Sequence, residues 1–254
     1  MASLCFSKAF PSSGKQITRV TRGWATNSES FRYRAATYTT LRRIQPRTSF
    51  LAPKERYSRP LSLWRRKMAA QIAAPFVWID CEMTGLDPDN EEIIEIFCLI
   101  TNANLELIDP VGWGTVIHQP KERMDQMDHW CVQTHGDSGL TAAVVASEVT
   151  AEKAADELLA YIKKYVAEPR TAILAGNSVH ADKAFLRKEP YRKVVDFLHY
   201  RILDVSSIKE AALRWCPRAI ERAPRKKLLH KAKDDILESI EEAKFYKEAI
   251  FEKR

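Results

Sequence analysis

Acidic residues are almost absent from the first 75 positions of this 254-residue sequence, which contain no Asp and only Glu29 and Glu55. The same segment carries fifteen Lys and Arg residues, so its net charge is +13. The other 179 residues hold the remaining 25 Lys and Arg and 31 acids, a net charge of −6. The overall charge of +7 therefore averages two unlike pieces and does not indicate a basic nucleic-acid-binding body.

Long apolar runs and paired cysteines are also missing from the sequence. The best uninterrupted apolar stretch, Ile96–Ile100, is far too short to span a bilayer, so we expect no membrane association. The five cysteines are scattered, and they form neither a CxxC metal signature nor a disulfide framework. This cysteine usage favours a reducing compartment.

The N-terminal segment, residues 1–75, is rich in Arg, Ser, Thr and Ala and lacks the apolar h-region of a secretory signal. We interpret it as a mitochondrial transit peptide that precedes a folded domain of residues 76–254. A disordered basic arm that contacts nucleic acid and a misassigned start codon are the alternatives. Met68 follows Arg65-Arg66-Lys67, and initiation near it would give a leaderless cytosolic form.

The order of strand and helix patterns predicts an α/β fold. Three strands come first, the third of them broken near Gly112 and Gly114, and strands then alternate with helices. Thr150 is the expected N-cap of the first long amphipathic helix. Such an order indicates a mixed sheet flanked by helices. The predicted strands are 76–83, 92–101, one within 104–119, 171–175 and 200–205, and the later helices are 182–188, 206–215 and 233–251.

Carboxylates are concentrated at the ends of these elements. Asp80 and Glu82 are two residues apart on the first strand, so both side chains project from the same face. Buried acids are costly unless a cation meets them, which suggests a metal site, although a solvated edge or a salt-bridged pair remains the alternative. Asp182 opens a helix close to a strand end and supplies a third carboxylate, where a first-turn acid is also favoured by the helix dipole alone.

A histidine and two aspartates lie at the start of the last predicted helix. His230 and Asp235 are five residues apart, so on one helix they would not share a face. We therefore expect His230 on the preceding loop, with Asp235 in the first turn. The spacing does not choose between Asp234 and Asp235. For His180, the competing histidine, a structural hydrogen-bonding role is expected.

The strings WIDCEMTGLD, LAGNSVHADKAFL, HYRILDVSSIKE and HKAKDDILESI resemble, in order, the successive motifs of the oligoribonuclease family. This family belongs to the DEDDh group of 3′-to-5′ exonucleases, and the resemblance extends from about Phe76 to Phe251. It implies an RNase-H-like fold with a five-stranded mixed sheet. It also implies that Asp80, Glu82, Asp182 and Asp235 are metal ligands and that His230 is the catalytic histidine, which selects Asp235 over Asp234.

The implied chemistry is hydrolysis of a phosphodiester with the help of two Mg²⁺ ions per active site, which Mn²⁺ is expected to replace. Oxygen ligands suit these hard cations, and His230 is suited to take a proton from the attacking water. The expected substrate is short single-stranded RNA of roughly two to five nucleotides, which is degraded to nucleoside 5′-monophosphates. Long RNA is not expected, because residues 76–254 have no surplus of positive charge with which to bind many phosphates.

The resemblance also assigns residues to substrate binding and to a homodimer. Leu86 and Trp130 match a pair that wedges the bases, and Ser178 matches the residue that caps the 5′ end. The partner subunit is expected to add Tyr200, Arg201 and Ser206, with His135 nearby. The alternative for Trp130 and Tyr200 is that they are ordinary core or interface aromatics.

Departures from the family pattern lie in the last motif. Lys231 and Lys233 replace the usual residues there, and Lys233 is expected either to pair with phosphate or to face solvent. The preceding Arg225-Lys226-Lys227 is read as a solvated patch, with guidance of RNA as the alternative. Three other functions compete: an exonuclease that trims longer structured RNA or short DNA, a non-catalytic RNA-end-binding subunit, and a scaffold with a regulatory basic arm.

Overall fold

The sheet is built outward from its central strand. A computed structural model describes residues 73–224 and 232–252. Two strands pair antiparallel on one side of the central strand, and two shorter parallel strands extend the sheet on the other. In chain order the strands are β1 (Phe76–Met83), β2 (Ile93–Thr101), β3 (Leu107–Val116), β4 (Ile173–Gly176) and β5 (His199–Asp204). The sheet order β3-β2-β1-β4-β5 confirms the predicted five-stranded mixed sheet.

Nine α-helices within the described residues connect and cover these strands. They are α1 (Lys121–Asp125), α2 (His129–Asp137), α3 (Leu140–Ala146), α4 (Ala151–Tyr165), α5 (His180–Leu186), α6 (Arg192–Phe197), α7 (Val205–Trp215), α8 (Pro217–Ile220) and α9 (Ala232–Tyr246), which continues as a π-helical turn at Lys247–Phe251. Thr150 caps α4, as expected, by accepting a hydrogen bond from the Lys153 N–H. Among the described residues, no helix is long and apolar enough to cross a bilayer.

Both faces of β1 are buried, which explains its nearly continuous apolar sequence. Val77, Ile79 and Cys81 pack with α4 on one face. Trp78 packs on the opposite face with Ile236 of α9. Because side chains alternate along a strand, Asp80 and Glu82 share the Trp78 face and lie beneath α9. The sequence of β1 therefore delivers two carboxylates into an otherwise apolar layer.

The third strand is one element, β3, but its pairing with β2 is irregular between Asp109 and Trp113, so the predicted break near Gly112 is present as a bulge and not as the end of a strand. The glycines also make room for the aromatic ring of Phe97 on β2. A Cβ added to Gly114 would lie 2.2 Å from the Phe97 ring, and Gly112 also adopts a φ of +77°. The glycine signal thus marks a close packing contact and not the end of a strand.

The described fold begins slightly before the predicted domain boundary at residue 76. Ala74 is buried, and the Pro75 carbonyl accepts a hydrogen bond from the Ile173 N–H at 3.1 Å. Several predictions concern residues outside the described ranges: the leader with Met68, the basic patch 225–227, His230 and Lys231.

Candidate active site

The site forms where β4 separates from β1. The two strands pair only from Phe76 to Trp78, so the edge of β1 beyond that point is open on the β4 side. Asp182, in the first turn of α5, fills this opening and accepts a hydrogen bond from the Cys81 N–H at 3.0 Å. The backbone of β1 therefore fixes the Asp182 carboxylate beside the strand that carries Asp80 and Glu82.

Helix α9 supplies the remaining carboxylate from above the sheet. Asp234 and Asp235 both lie in its first turn, as the sequence predicts for Asp235. One carboxylate oxygen each from Asp80, Glu82 and Asp235 lie within 4.8 Å of one another. The structure therefore selects Asp235, not Asp234, as the member of this acidic cluster. Asp182 borders the cluster through its contact with the β1 backbone.

The electrostatics of the cluster are unfavourable without a cation. Burial, and then the Asp80 charge, raises the pKa of Glu82 well above its ordinary value, with further contributions from Glu95 and Asp235. Burial and Asp80 likewise raise the pKa of Asp182 to about 8. Desolvation disfavours the ionised form of each acid, and neighbouring like charges add to that effect. Several carboxyl groups are thus brought together at a cost to stability.

A divalent metal ion fits this set of side chains. Both carboxylate oxygens of Glu82 are buried and find no hydrogen-bond donor among the residues that the structure describes. Buried acids of this kind require either protonation or a cation. Because the donors of the cluster are all carboxylate oxygens, they suit a hard cation such as Mg²⁺ or Mn²⁺.

The loop that follows β1 is held by a polar network that the sequence did not reveal. The Thr84 hydroxyl donates to Glu91 and accepts hydrogen bonds from the Glu92 N–H at 3.0 Å and from Arg123 at 2.7 Å. Arg123, on α1, also forms an ion pair with Glu91. These partners are up to 39 residues apart, so no local motif could have indicated them.

This loop presents Leu86, one of the two predicted base-contacting residues. The Leu86 side chain is 48% exposed. Trp130, the other one, lies half-buried at the start of α2 and packs against an apolar cluster that includes Met124. The Asp128 side chain caps α2 by accepting hydrogen bonds from the Trp130 and Cys131 N–H groups. Both predicted residues therefore occupy well-anchored positions, with Leu86 the more accessible.

The turn after β4 brings Ser178 and Ser206 together within one chain. Their hydroxyls lie 3.1 Å apart. The Asp204 carboxylate accepts hydrogen bonds from both backbone N–H groups, which stabilises the left-handed Ser178 backbone with a φ of +52°. Asn177 connects the turn to Ser206 and to Ser239 of α9. The chain's own Ser206 therefore contacts Ser178, and the expected contribution of Ser206 from a partner subunit stays a prediction.

Tyr200, Arg201 and His135 occupy different environments. Tyr200 and Arg201 are exposed on β5, an edge strand, with the guanidinium 4.9 Å from the centre of the Tyr200 ring. His135 is 1% exposed, and its Nε2 lies 3.0 Å from the Met83 carbonyl at the end of β1. The structure therefore places His135 beneath the surface, where it joins α2 to β1.

Lys233 and His180 each make a defined polar contact with another part of the chain. Lys233 donates a hydrogen bond to the Val111 carbonyl at 2.9 Å and lies 5.5 Å from the centre of the Phe97 ring. It therefore ties α9 to β3 at the exposed surface, a contact that the expectations for this residue did not include. His180 pairs through Nδ1 with the Asp204 carboxylate at 3.3 Å, which agrees with the predicted hydrogen-bonding role.

Comparison with protein families shows that residues 77–243 match the exonuclease family RNase_T. The chain is 45% identical over 203 residues to the mitochondrial oligoribonuclease of Saccharomyces cerevisiae, covering 75% of each chain. It is 46% identical over 183 residues to the mitochondrial oligoribonuclease of Homo sapiens, covering 72% of this chain and 76% of the relative. An oligoribonuclease of Corynebacterium efficiens is 43% identical over 175 residues, covering 69% and 78%.

A solved structure supports the fold independently. Exonuclease I of E. coli, crystallised with a dT13 oligonucleotide, superimposes with a TM-score of 0.53 at 16% identity. The match covers 68% of this chain and 41% of exonuclease I. At this identity the similarity concerns the fold alone, and it agrees with the RNase-H-like architecture expected from the sequence.

Proposed function

The chain belongs to the exonuclease family and to its oligoribonucleases, and we propose that it degrades short oligoribonucleotides from the 3′ end to nucleoside 5′-monophosphates. The observation that carries the proposal is the cluster of Asp80, Glu82 and Asp235, with Asp182 at its border. Such a cluster at the end of a central strand suits metal-assisted hydrolysis of a phosphodiester. Among the alternatives, the scaffold and the non-catalytic binder leave this buried carboxylate set without a role.

We assign Asp80, Glu82, Asp182 and Asp235 as the residues that hold divalent metal, with two Mg²⁺ ions as the physiological cofactor and Mn²⁺ as a substitute. When bound, the metal supplies Lewis-acid activation of water and stabilisation of the leaving oxygen. The Cys81 N–H orients Asp182, and the fixed first turn of α9 orients Asp235. The chain therefore sets the positions of these carboxylates through its backbone.

His230 is assigned as the general base, a role that its residue type suits near neutral pH. It precedes Asp235 by five residues, in the segment between α8 and α9 that lies outside the described residues. The proposed role is to accept a proton from the attacking water. The protonated imidazole then returns that proton to solvent before the next turnover.

Substrate recognition is proposed to depend on stacking and on hydroxyl groups. Leu86 and Trp130 contact the bases, a mode of binding that tolerates any sequence. Ser178 and Ser206 together contact the 5′ side of the substrate. Tyr200 and Arg201 reach the substrate of a partner subunit in a homodimer, which their exposure on an edge strand permits.

The location proposed for the enzyme is the mitochondrion. The relatives from S. cerevisiae and H. sapiens are both named mitochondrial, and residues 1–75 have the composition of a transit peptide. A second form that begins near Met68 remains a prediction. N-terminal sequencing of the mature protein tests both statements.

A length series of 5′-labelled RNAs from two to about twenty nucleotides tests the proposed substrate, with metal omitted in a parallel arm. We expect hydrolysis that requires metal, releases nucleoside 5′-monophosphates and is fastest on the shortest RNAs. Equal turnover of dinucleotides and 20-mers would instead favour the trimming of longer RNA. Activity that persists in EDTA would contradict the role of the carboxylate cluster.

A further inference from the structure

A basic cleft lies between α5, α6 and β5. None of the four carboxylates assigned to metal binding lines it. Its volume is about 390 Å³. The residues that define it are Arg170, Lys183, Arg187, Arg192, Asp196 and Tyr200. Four of these side chains are cationic and one is acidic, so the cleft is locally basic, whereas residues 76–254 together carry a net charge of −6. The four cations converge from the loop before β4, from α5 and its C-cap, and from α6, so no local sequence pattern could indicate the cleft.

The cations of the cleft are mostly not neutralised by the protein itself. Arg192 pairs with Asp196 at 3.5 Å. For Arg170, Lys183 and Arg187, no ion pair to a carboxylate is found within the part of the chain that the structure describes. The cleft therefore retains an excess of positive charge.

Holding these cations together is unfavourable for the protein on its own. Lys183 lies on α5 and Arg187, four residues later, is the C-cap residue of that helix, so the two like charges repel each other. Arg170 adopts a left-handed backbone with a φ of +61°, which is strained for a residue that is not glycine. Costs of this kind are typical of a site that a ligand of opposite charge completes.

We infer that this basic cleft binds a phosphate group of the RNA substrate. Guanidinium groups bind phosphate oxygens in a bidentate manner, and two of them, Arg187 and Arg192, have exposed side chains. The volume falls within the usual range for small-molecule sites. The exposed Tyr200 lies at the same cleft, so a phosphate held there is next to a residue already assigned to RNA. The identification of the phosphate as one from RNA therefore rests on the proposed function.

The test compares R187Q/R192Q with K121Q/K153Q in the full-length chain. The control removes two exposed cations that, like Arg192, face an acid four residues away and do not line the cleft. The probe is a fluorescein-labelled RNA pentamer, and binding is measured by anisotropy in EDTA between 50 and 200 mM KCl. EDTA removes any binding or hydrolysis through the carboxylate cluster.

We expect R187Q/R192Q to weaken pentamer binding about tenfold at low salt and to reduce the slope of log K against log[salt] by about 1, whereas the control stays near wild type. Adenosine 5′-monophosphate is the second probe. A loss confined to the pentamer identifies RNA as the source of the phosphate. A loss confined to the mononucleotide identifies the free product instead and overturns the RNA assignment.

Equal binding by R187Q/R192Q and the control would overturn the proposal altogether. Light scattering supplies a further check, because a loss of binding that follows a change in oligomeric mass would make the cleft an interface between copies. Hydrolysis in Mg²⁺ separates the two proposals. A wild-type chain that binds RNA through the cleft in EDTA but fails to hydrolyse it in Mg²⁺ contradicts only the proposed function.

Discussion

Replacement of Asp182 by Asn is predicted to stabilise the metal-free protein at alkaline pH. Asp182 is 3% exposed, and burial together with Asp80 raises the pKa of its carboxyl to about 8 from an ordinary 3.8. Between these values the folded state retains a proton that the unfolded state releases, so stability falls as pH rises. Asn resembles the protonated acid and keeps an oxygen that accepts the hydrogen bond from the Cys81 N–H. The free energy of unfolding of D182N should therefore not fall with pH in this way.

The size of the effect follows from the shift in pKa. About four units at about 1.36 kcal/mol per unit give a gain on the order of 5 kcal/mol for D182N at pH 8, falling to about 2 kcal/mol at pH 5. That gain is a large fraction of the total stability of a typical domain, about 5–15 kcal/mol. Mg²⁺ should stabilise the wild type at pH 8 by relieving the same repulsion, and it should stabilise D182N less.

Urea denaturation in EDTA at pH 5, 6.5 and 8 measures this prediction. D125N is the control, because Asp125 is exposed and pairs with Lys121 at the surface. A D182N variant whose stability tracks that of D125N at every pH would refute the reasoning. Such a result would mean that Asp182 is ionised in the folded protein without bound metal.

Other substitutions test the contacts around the site. K233A should lower stability by about 1 kcal/mol, through the lost bond to the Val111 carbonyl, and leave activity within about twofold of wild type; a large loss of activity would place Lys233 at the phosphate. R123A should destabilise the protein by about 1–2 kcal/mol in urea melts, because Glu91 loses its cationic partner, and it should also lower kcat by loosening the loop after β1. W130A should reduce kcat/KM for a dinucleotide about tenfold, which matches the loss of one stacked base, and an unchanged value would leave Trp130 a purely structural residue.

Local patterns were sufficient to predict the sheet and most of the acidic cluster. The aromatic and β-branched content of Phe76–Met83 predicted β1 with its observed bounds. The expectation that Asp235 lies in the first turn of α9 is also confirmed. Spacing alone left Asp234 and Asp235 equivalent; the family resemblance selected Asp235, and the packing of α9 over β1 agrees with that choice. The helices α1, α2, α3, α6 and α8 were not predicted.

Contacts between distant segments could not be predicted from the sequence. The Thr84–Glu91–Arg123 network and the basic cleft depend on where loops and helices meet, which no local spacing encodes. Gly114 was misread because its role depends on the Phe97 ring of a neighbouring strand. Net charge was similarly uninformative, because an acidic body can still carry a locally basic cleft.

The most direct test of the account compares D235N with D234N. The two residues are adjacent in the first turn of α9, but only Asp235 shares a cluster with Asp80 and Glu82. Release of nucleoside 5′-monophosphate from a 5′-labelled RNA dinucleotide in Mg²⁺ is the measurement. The account predicts a loss of about 100-fold or more in kcat/KM for D235N and a value within about threefold of wild type for D234N. Equal activity of the two variants, or a greater loss in D234N, would contradict it.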